Sequence, residues 1–321
     1  MTAKNNNNDD DNNDINKPKW EITRVAGVTG SSSGIGFKIA STLARNRFYT
    51  YAKMRNLSLR YQKIANKKAL PLKVIQLDVA SDRDLSAKNA IQEIVSEKQR
   101  IDILVNNAGY GLIGPIEDIS IEEELKPQFE TNLYGVVRVT QQVLPIMRRQ
   151  KSGRIINVSS IGGIVGYPFS AAYCSTKFAL EGLSESLSYE VEQFGIKVIL
   201  VEPALVISDF HNNVKMAVRK GASNADDSPY TQLMQKLFEE YKLIEEQYHV
   251  PADEVAKVIL NAAILDNPDR SYLVGKYSEN MKEAKMTMSD IELHDIMKGQ
   301  LLGNNNNKIM WWGVRGLKAI S

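Results

Sequence analysis

Short apolar runs alternate with longer amphipathic stretches along most of the chain. The short runs are rich in Val, Ile and Leu, as buried parallel strands are, whereas apolar residues in the longer stretches recur with the period of a helix. This alternation predicts an α/β fold in which helices cover both faces of a parallel sheet. The predicted strands are Arg24 to Thr29, Phe48 to Met54, Leu72 to Leu77, Ile103 to Asn106, Arg154 to Ser159, Lys197 to Glu202 and Arg270 to Val274. Seven such strands fit a single doubly wound Rossmann domain.

Helices are predicted between and after these strands. They cover Gly34 to Asn46, Asp82 to Glu97, Ile121 to Arg149, Ala171 to Phe194, Ser228 to Glu246 and Ala252 to Leu265. Pro127 and Pro145 interrupt the third helix, and Pro127 predicts a kink or a later start because proline has no amide hydrogen to donate. Residues 205–248 form a connection far longer than usual in α/β units and predict a lid with an apolar inner wall.

Two polar tracts divide the chain into a domain and its tails. Residues 1–19 contain seven Asn and four Asp, and this composition predicts a disordered tail. Residues 20–275 are predicted to form the Rossmann domain, including the lid, and residues 276–321 a C-terminal extension. Asn304 to Asn307 precede a closing segment with Trp311 and Trp312, which fits either a strand or turn docked on this or a neighbouring subunit, or a weak membrane-surface contact.

Composition excludes several classes of function. Forty Lys and Arg against 38 Asp and Glu give a net charge of +2, too balanced for the basic footprint of a nucleic-acid-binding protein. The single cysteine, Cys174, excludes an internal disulfide framework and multi-cysteine metal sites, and we expect no metal. No apolar run is long enough for a transmembrane helix, and the N-terminus lacks the pattern of a secretory signal. A cytoplasmic location is the default expectation.

A glycine-rich segment, Thr29 to Gly36, follows the first predicted strand and opens the first predicted helix. Glycines at this position let the backbone approach a pyrophosphate, whose charge the helix N-terminus stabilises. The alternative is a plain strand-to-helix turn. The candidate cofactor-binding residues of this segment are Gly30, Ser32, Ser33, Gly34, Ile35 and Gly36.

The charges that follow favour NADP(H) over NAD(H). An NAD-binding site of this type has an acidic residue about 20 positions after the glycines, yet residues 22–77 contain no Asp or Glu and eleven Lys or Arg. Lys53 and Arg55 end the second predicted strand, where a guanidinium can bind a 2′-phosphate with two hydrogen bonds. We therefore predict Arg55 as the phosphate ligand, the alternative being a solvated cationic surface.

Four motifs in order resemble the short-chain dehydrogenase/reductase family over about Thr23 to Val274. They are the glycine segment, Asn106-Asn107-Ala108-Gly109, Asn132 within Thr131 to Gly135, and the Tyr173-x-x-x-Lys177 pair with Ser160 thirteen residues upstream. The resemblance implies Asn132, Ser160, Tyr173 and Lys177 as catalytic residues. It implies further cofactor contacts from Asp78, Val79, Asn106, Ala108, Gly109, Tyr173, Lys177, Pro203, Ala204, Val206 and Ser208.

The chemistry needs these residue types. Tyr173 and Lys177 share one helical face, so the ammonium and an oxidised nicotinamide can lower the pKa of the phenol, which then acts as acid and base. Ser160 can orient the substrate oxygen and stabilise its developing charge, and Asn132 resembles the residue that holds a water against the lysine. Ala204 stands where the family usually has glycine, a departure that could tilt the nicotinamide if a positive φ is required there.

These observations predict an NADP(H)-dependent oxidoreductase that acts on a carbonyl or secondary alcohol of a hydrophobic small molecule. The layout looks most like the hydroxysteroid and retinol dehydrogenase branch, and the family implies a homodimer or homotetramer. Two alternatives stay open: a nucleotide-binding regulatory protein without turnover, and a lyase or epimerase on the same scaffold.

Overall fold

The computed structural model describes residues 24–55, 62–64, 66, 68–81, 85–207, 214–217 and 228–302. The predicted tail of residues 1–19, the Asn304 to Asn307 tract and the Trp311/Trp312 segment lie outside the described residues, as does the predicted contact Ser208.

Seven parallel strands form the central sheet, in the order β3-β2-β1-β4-β6-β7-β11. These strands are β1 Arg24–Thr29, β2 Phe48–Met54, β3 Leu72–Gln76, β4 Ile103–Asn106, β6 Gly153–Val158, β7 Ile196–Pro203 and β11 Ser271–Val274. Every strand pairing in this sheet is parallel. The predicted doubly wound fold is confirmed, and each predicted strand end lies within one residue of the observed end.

Helices cover both faces of the sheet. They are α1 Gly34–Arg45, α2 Leu85–Lys98, α3 121–150, α4 Ala171–Val191, α5 Thr231–Tyr248, α6 Ala252–Ile264, α7 Lys276–Thr287 and α8 Asp290–Leu302. Helices α1 and α6 pack on one face through residues such as Ile39 and Ile259, and α2, α3 and the end of α4 pack on the other through residues such as Ile94 and Val143. Burial on both faces explains why the strands are apolar at consecutive positions.

Helix α3 begins at Ile121, as in the predicted range Ile121 to Arg149, so of the two alternatives for Pro127 the later start is excluded. Wider π-helical turns, Ile121–Leu125 and Glu130–Tyr134, flank the α-helical turn that contains Pro127. In the first of them the amide of Leu125 donates to the carbonyl of Ser120, five residues back. The wider turns allow the helix to continue past a residue that can donate no hydrogen bond of its own.

The lid and the C-terminal extension contribute short strands and a third cluster of buried residues. Strand β5 Leu112–Ile113 pairs with β9 Lys215–Met216, and β8 Val206–Ile207 pairs with β10 Val250–Pro251. Tyr277 and Met281 of α7 and Leu293 and Met297 of α8 belong to one buried cluster with Ile161, the residue after Ser160. Among the described residues, no helix combines the length and the apolar character that crossing a bilayer needs.

Candidate active site

The carboxyl ends of the strands surround one cleft with a volume of about 780 Å³. It lies where the order of the sheet reverses between β1 and β4, the position at which doubly wound sheets bind ligands. Of the predicted site residues in the described ranges, all line this cleft except Asn106 and Asn132. The fold therefore brings the glycine segment and the Tyr173–Lys177 pair into one site.

The glycine segment folds as a tight turn that leaves no space for a side chain at Gly30 or Gly36. Gly30 and Gly34 have positive φ angles of 66° and 51°, and a Cβ on Gly36 would lie 2.2 Å from the carbonyl oxygen of Gly30. The turn places the N-terminus of α1 against the cleft, where its partial positive charge stabilises an anion. This close approach of bare backbone fits a pyrophosphate group.

Thr29 and Asn107 connect the glycine turn to the end of β4. The Thr29 hydroxyl accepts hydrogen bonds from the amides of Asn107 and Ala108, at 3.0 and 3.1 Å. In return, the Asn107 side chain donates to the carbonyls of Thr29 and Gly30, each at 3.1 Å. Asn107 was not among the predicted site residues, although its place in the Asn-Asn-Ala-Gly segment was a signal for it.

Arg55 is exposed and lines the end of the cleft beyond β2. Lys53, named with it in the sequence analysis, is 1% exposed and packs over Gly27, where a Cβ would lie 3.1 Å from its Nζ. Its Nζ has no hydrogen-bond partner among the described residues, and burial lowers its pKa to about 7. Lys53 lies outside the cleft lining, so of these two cations it is Arg55 that lines the cleft.

Asp78 and Val79 line the cleft beyond β3, together with Met54 and Leu77. The Asp78 carboxylate accepts from the amide of Ala80 at 3.1 Å, so it also caps its own turn. Asn106 is 2% exposed and donates to the Asn157 side chain at 2.9 Å, beneath the cleft. This hydrogen bond connects β4 to β6. Asn106 therefore stabilises the sheet below the site and does not line the cleft.

Ser160, Tyr173 and Lys177 converge beside the ends of β6 and β7. Ser160 begins the short helical turn Ile161–Gly163, and its hydroxyl accepts from the amide of Gly162 at 3.1 Å and shares a hydrogen bond with Tyr173. Lys177 is 6% exposed; its Nζ donates to the carbonyl of Val158 at 2.9 Å and lies 5.8 Å from the centre of the Tyr173 ring.

Burial dominates the electrostatics of this group. It raises the pKa of Tyr173 to about 12, and the hydrogen bond with Ser160 opposes the rise. Burial also lowers the pKa of Lys177 to about 8, against the attraction of Glu181. The sequence analysis expected Lys177 and an oxidised nicotinamide to lower the pKa of Tyr173; without a cofactor, desolvation is the larger effect and Tyr173 stays protonated at neutral pH.

Asn132 is 1% exposed and holds the backbone of Tyr110. Its side-chain oxygen accepts from the Tyr110 amide at 3.1 Å, and its nitrogen donates to the Tyr110 carbonyl at 2.9 Å and to the Thr176 hydroxyl at 3.1 Å. Asn132 thus contacts the residue next to Lys177 from the π-helical turn of α3. Its predicted role in holding a water against the lysine stays a prediction.

Pro203, Ala204, Leu205 and Val206 line the cleft beyond β7. Ala204 is absent from the residues with positive φ, whereas Leu205 has a φ of 47°. The substitution of alanine for the family's usual glycine therefore places no strained residue at 204. The backbone strain lies at Leu205 instead, because a residue with a Cβ rarely adopts the left-handed region of φ/ψ space.

The family follows from comparison with known proteins. The family model for short chain dehydrogenases matches residues 24–218. The chain belongs to the short-chain dehydrogenase family. It is therefore an oxidoreductase of that family, and its relatives support the hydroxysteroid and retinol dehydrogenase branch that the motifs resemble.

This short-chain dehydrogenase is 40% identical over 186 residues to 3-ketodihydrosphingosine reductase of Bacteroides thetaiotaomicron, an alignment that covers 58% of this chain and 65% of the relative. It is 37% identical over 253 residues to human 17-beta-hydroxysteroid dehydrogenase type 1, covering 76% and 75% of the two chains. It is 40% identical over 198 residues to bovine retinol dehydrogenase 8, covering 60% and 62%. The crystal structure of a short-chain dehydrogenase from Streptomyces avermitilis superposes with a TM-score of 0.70 at 26% identity, covering 88% and 99%.

The outer walls of the cleft in this short-chain dehydrogenase combine apolar and aromatic side chains with the charged residues Lys215, Lys242 and Glu245. Leu205, Met216, Phe238 and Tyr241 come from the predicted lid, and Ile113 and Tyr277 come from outside it. The residues just before α5 contact the loop before α3: Ser228 donates to Asp118 at 2.6 Å and Tyr230 to Glu117 at 3.0 Å. Leu237 is fully buried and packs the lid instead of lining the cleft.

Proposed function

We propose that this chain is an NADP(H)-dependent oxidoreductase that transfers a hydride between nicotinamide and a carbonyl or secondary alcohol of a hydrophobic substrate. The observation that carries the proposal is the convergence of Ser160, Tyr173 and Lys177 on the cleft that the glycine turn also lines. Binding a nucleotide alone would not need a buried tyrosine and lysine one helical turn apart.

The residues present fit a dinucleotide. A Cβ on Gly30 would lie 2.7 Å from the Cα of Ala108, and a Cβ on Gly36 would lie 2.2 Å from the carbonyl oxygen of Gly30. The backbone cradle formed by residues 30–36 therefore requires glycine at both positions. Gly30, Ser32, Gly36 and the start of α1 would hold the pyrophosphate, and Asp78 and Val79 would contact the adenine. When bound, the nicotinamide supplies or accepts the hydride.

The protein's own part in the reaction is to move a proton at the substrate oxygen. With a pKa raised to about 12, Tyr173 carries its proton at neutral pH and can donate it to a carbonyl oxygen during reduction. Ser160 donates a second hydrogen bond that orients this oxygen and stabilises its developing charge. Lys177, held by the carbonyl of Val158, stabilises the phenolate that forms.

Arg55 supports the preference for NADP(H). It is the exposed cation at the end of β2 that lines the cleft, and the stretch 22–77 has no carboxylate to repel a 2′-phosphate. We expect Arg55→Asp to weaken NADPH affinity by at least about tenfold, since a charged hydrogen bond contributes about 1.5 to 3 kcal/mol, and to leave NADH affinity unchanged or improved. Arg45→Asp, at the opposite end of α1, is the matched control; equal NADPH affinity in the two variants would contradict the assignment.

The apolar walls of the cleft favour a hydrophobic substrate. Relatives named for a ketosphingoid base, a hydroxysteroid and retinol agree with this class. We therefore propose an apolar ketone, aldehyde or secondary alcohol, bound between Ile113 and the lid residues Met216 and Phe238.

The decisive experiment is a screen of long-chain ketones, aldehydes and hydroxysteroids that follows NADPH absorbance. Tyr173→Phe should lose at least about a thousandfold in kcat and keep its NADPH affinity, because only the proton donor is removed. Tyr189→Phe, an exposed tyrosine on the same helix, is the control and should turn over normally. Undiminished turnover by Tyr173→Phe would refute its role; NADPH binding without turnover by the wild type would favour a regulatory nucleotide-binding protein.

We also propose a homodimer or homotetramer formed through α3 and α4, as the family implies. Exposed apolar side chains on these helices support an interface: Ile121, Tyr134 and Phe178. Leu180, in contrast, is 1% exposed and belongs to the core of the subunit.

The cytoplasmic location stays a prediction that imaging of the tagged protein would test.

A further inference from the structure

Two acidic residues lie behind the catalytic group, outside the lining of the cleft. Glu181 follows Lys177 by one turn of α4, and Glu202 precedes Pro203 in β7 and is 2% exposed. Neither residue lines the cleft, so neither is placed to contact a substrate or cofactor. Burying a carboxylate costs free energy unless a counter-charge or hydrogen bonds compensate it. Two such groups next to the catalytic residues therefore indicate a role in the electrostatics of the site.

Glu181 lies against the turn that follows Ser160. A Cβ on Gly163 would be 2.9 Å from both the Cγ of Glu181 and the hydroxyl of Ser159, and 3.1 Å from the Oε1 of Glu181. The missing side chain at Gly163 is therefore what allows the carboxyl group to approach the serine. Glu181 interacts electrostatically with Lys177, Glu202 and Lys282.

Glu202 is held by the C-terminal extension. Lys282 of α7 places its Nζ 3.6 Å from the Oε2 of Glu202 and donates to the hydroxyl of Ser271 at 3.3 Å. The Glu181 carboxyl group interacts with the Ser159 hydroxyl and with Glu202. Within the described part of the chain, however, no well-aligned hydrogen bond satisfies the Ser159 hydroxyl, the Glu181 Oε1 or the Glu202 Oε2. Two neighbouring carboxyl groups in such surroundings favour a state in which they hold one proton between them.

We propose that Glu181 is a positioning residue that keeps Lys177 charged, and that Lys282 limits this effect by neutralising Glu202. This inference rests on the proposed role of Lys177 in the oxidoreductase reaction. Burial raises the pKa of Glu181 and of Glu202, and it lowers the pKa of Lys177 against the pull of Glu181. Reduction ends at high pH, when the Tyr173–Lys177 pair loses a proton. Glu181 is ionised in that pH range, and its negative charge opposes the loss of this proton from the pair.

Charged and titratable groups from every neighbouring element enter this balance. Tyr173, Lys177 and Glu181 come from α4, Glu202 from β7 and Lys282 from α7, and Cys174 lies next to Tyr173. The signs of the expected effects differ. Removing the negative charge of Glu181 makes the Tyr173–Lys177 pair lose its proton more easily, whereas removing the positive charge of Lys282 makes that loss harder.

The test compares the pH dependence of kcat for reduction in three variants. Glu181→Gln should move the alkaline limb to lower pH by about one unit, the order of magnitude for one neighbouring charge at a partly buried site. Lys282→Met should move it to higher pH. Glu185→Gln, one turn further along α4 and exposed to solvent, is the control and should leave the limb in place.

A second readout does not need turnover. In protein labelled at the lysine Cε carbons, the NMR signal of Lys177, assigned with Lys177→Met, should titrate at lower pH in Glu181→Gln than in the wild type. Unshifted titration of Lys177 in both Glu181→Gln and Lys282→Met, or an equal shift in Glu185→Gln, would overturn the proposal. Absence of turnover in the wild type would instead count against the oxidoreductase function and leave this titration as the deciding measurement.

Discussion

The hydroxyl of Thr29 is the element of the site whose removal has the clearest energetic consequence. Thr29 is 2% exposed at the end of β1, and its Oγ1 accepts from the amides of Asn107 and Ala108. Thr29→Val replaces the hydroxyl with a methyl group of nearly the same size and keeps a β-branched residue in the strand. The substitution therefore removes these two hydrogen bonds and the longer one that Thr29 donates to the Val105 carbonyl at 3.5 Å, while the packing and strand propensity change little.

The expected cost comes from the two amides left without an acceptor. A buried donor that loses its partner costs about 1 to 3 kcal/mol. Asn107 and Ala108 are half-buried, so the lower part of this range applies to each. We expect the free energy of unfolding to fall by about 2 to 4 kcal/mol, and the affinity for NADPH to fall as well because the glycine turn is no longer tied to β4.

Urea denaturation at neutral pH and NADPH fluorescence titration measure these two effects. Thr29→Ser is the control, because it keeps the acceptor and loses one methyl group, which costs on the order of 1 kcal/mol. Thr29→Val should be less stable than Thr29→Ser. If the valine variant equals or exceeds the serine variant in stability, the hydroxyl does not join β1 to β4 in the way we infer.

Three further predictions concern the cradle, a buried lysine and the assembly. Gly36→Ala should abolish detectable NADPH binding in a fluorescence titration, since its Cβ would meet the Gly30 carbonyl at 2.2 Å, whereas Gly182→Ala, with open space around it, should bind normally. Lys53→Met should be more stable than the wild type in denaturation at pH 7, because burial lowers the folded-state pKa to about 7. That difference should shrink as the pH rises toward the ordinary lysine pKa, above which folding no longer expels a proton, and a pH-independent difference would contradict this account. Phe178→Glu, at a side chain 45% exposed on α4, should convert the proposed oligomer to monomers in light scattering, and an unchanged mass would contradict the proposed interface.

Strands and most helices of this protein were predictable because their signals are local. The run Arg24 to Thr29 predicts β1 with its observed ends, since a strand buried on both faces requires apolar residues at consecutive positions. For Pro127 the sequence left a kink or a later start of α3 open, because the signal of a proline concerns the regular α-helix. Neighbouring π-helical turns, held by contacts such as that of Asn132 with Tyr110, let α3 continue through it.

The sequence alone established the order of the motifs and the one-turn separation of Tyr173 and Lys177. It also established the absence of acidic residues from 22–77, on which the argument for NADP(H) rests. Each of these depends on residue type and distance along the chain. The tertiary structure decided which side chains reach the cleft: Arg55 lines it while Lys53 fills the space over Gly27. It also decided that Lys282, far along the chain, neutralises an acid behind the site, because electrostatic and packing partners are set by proximity in space, which a single sequence does not encode locally.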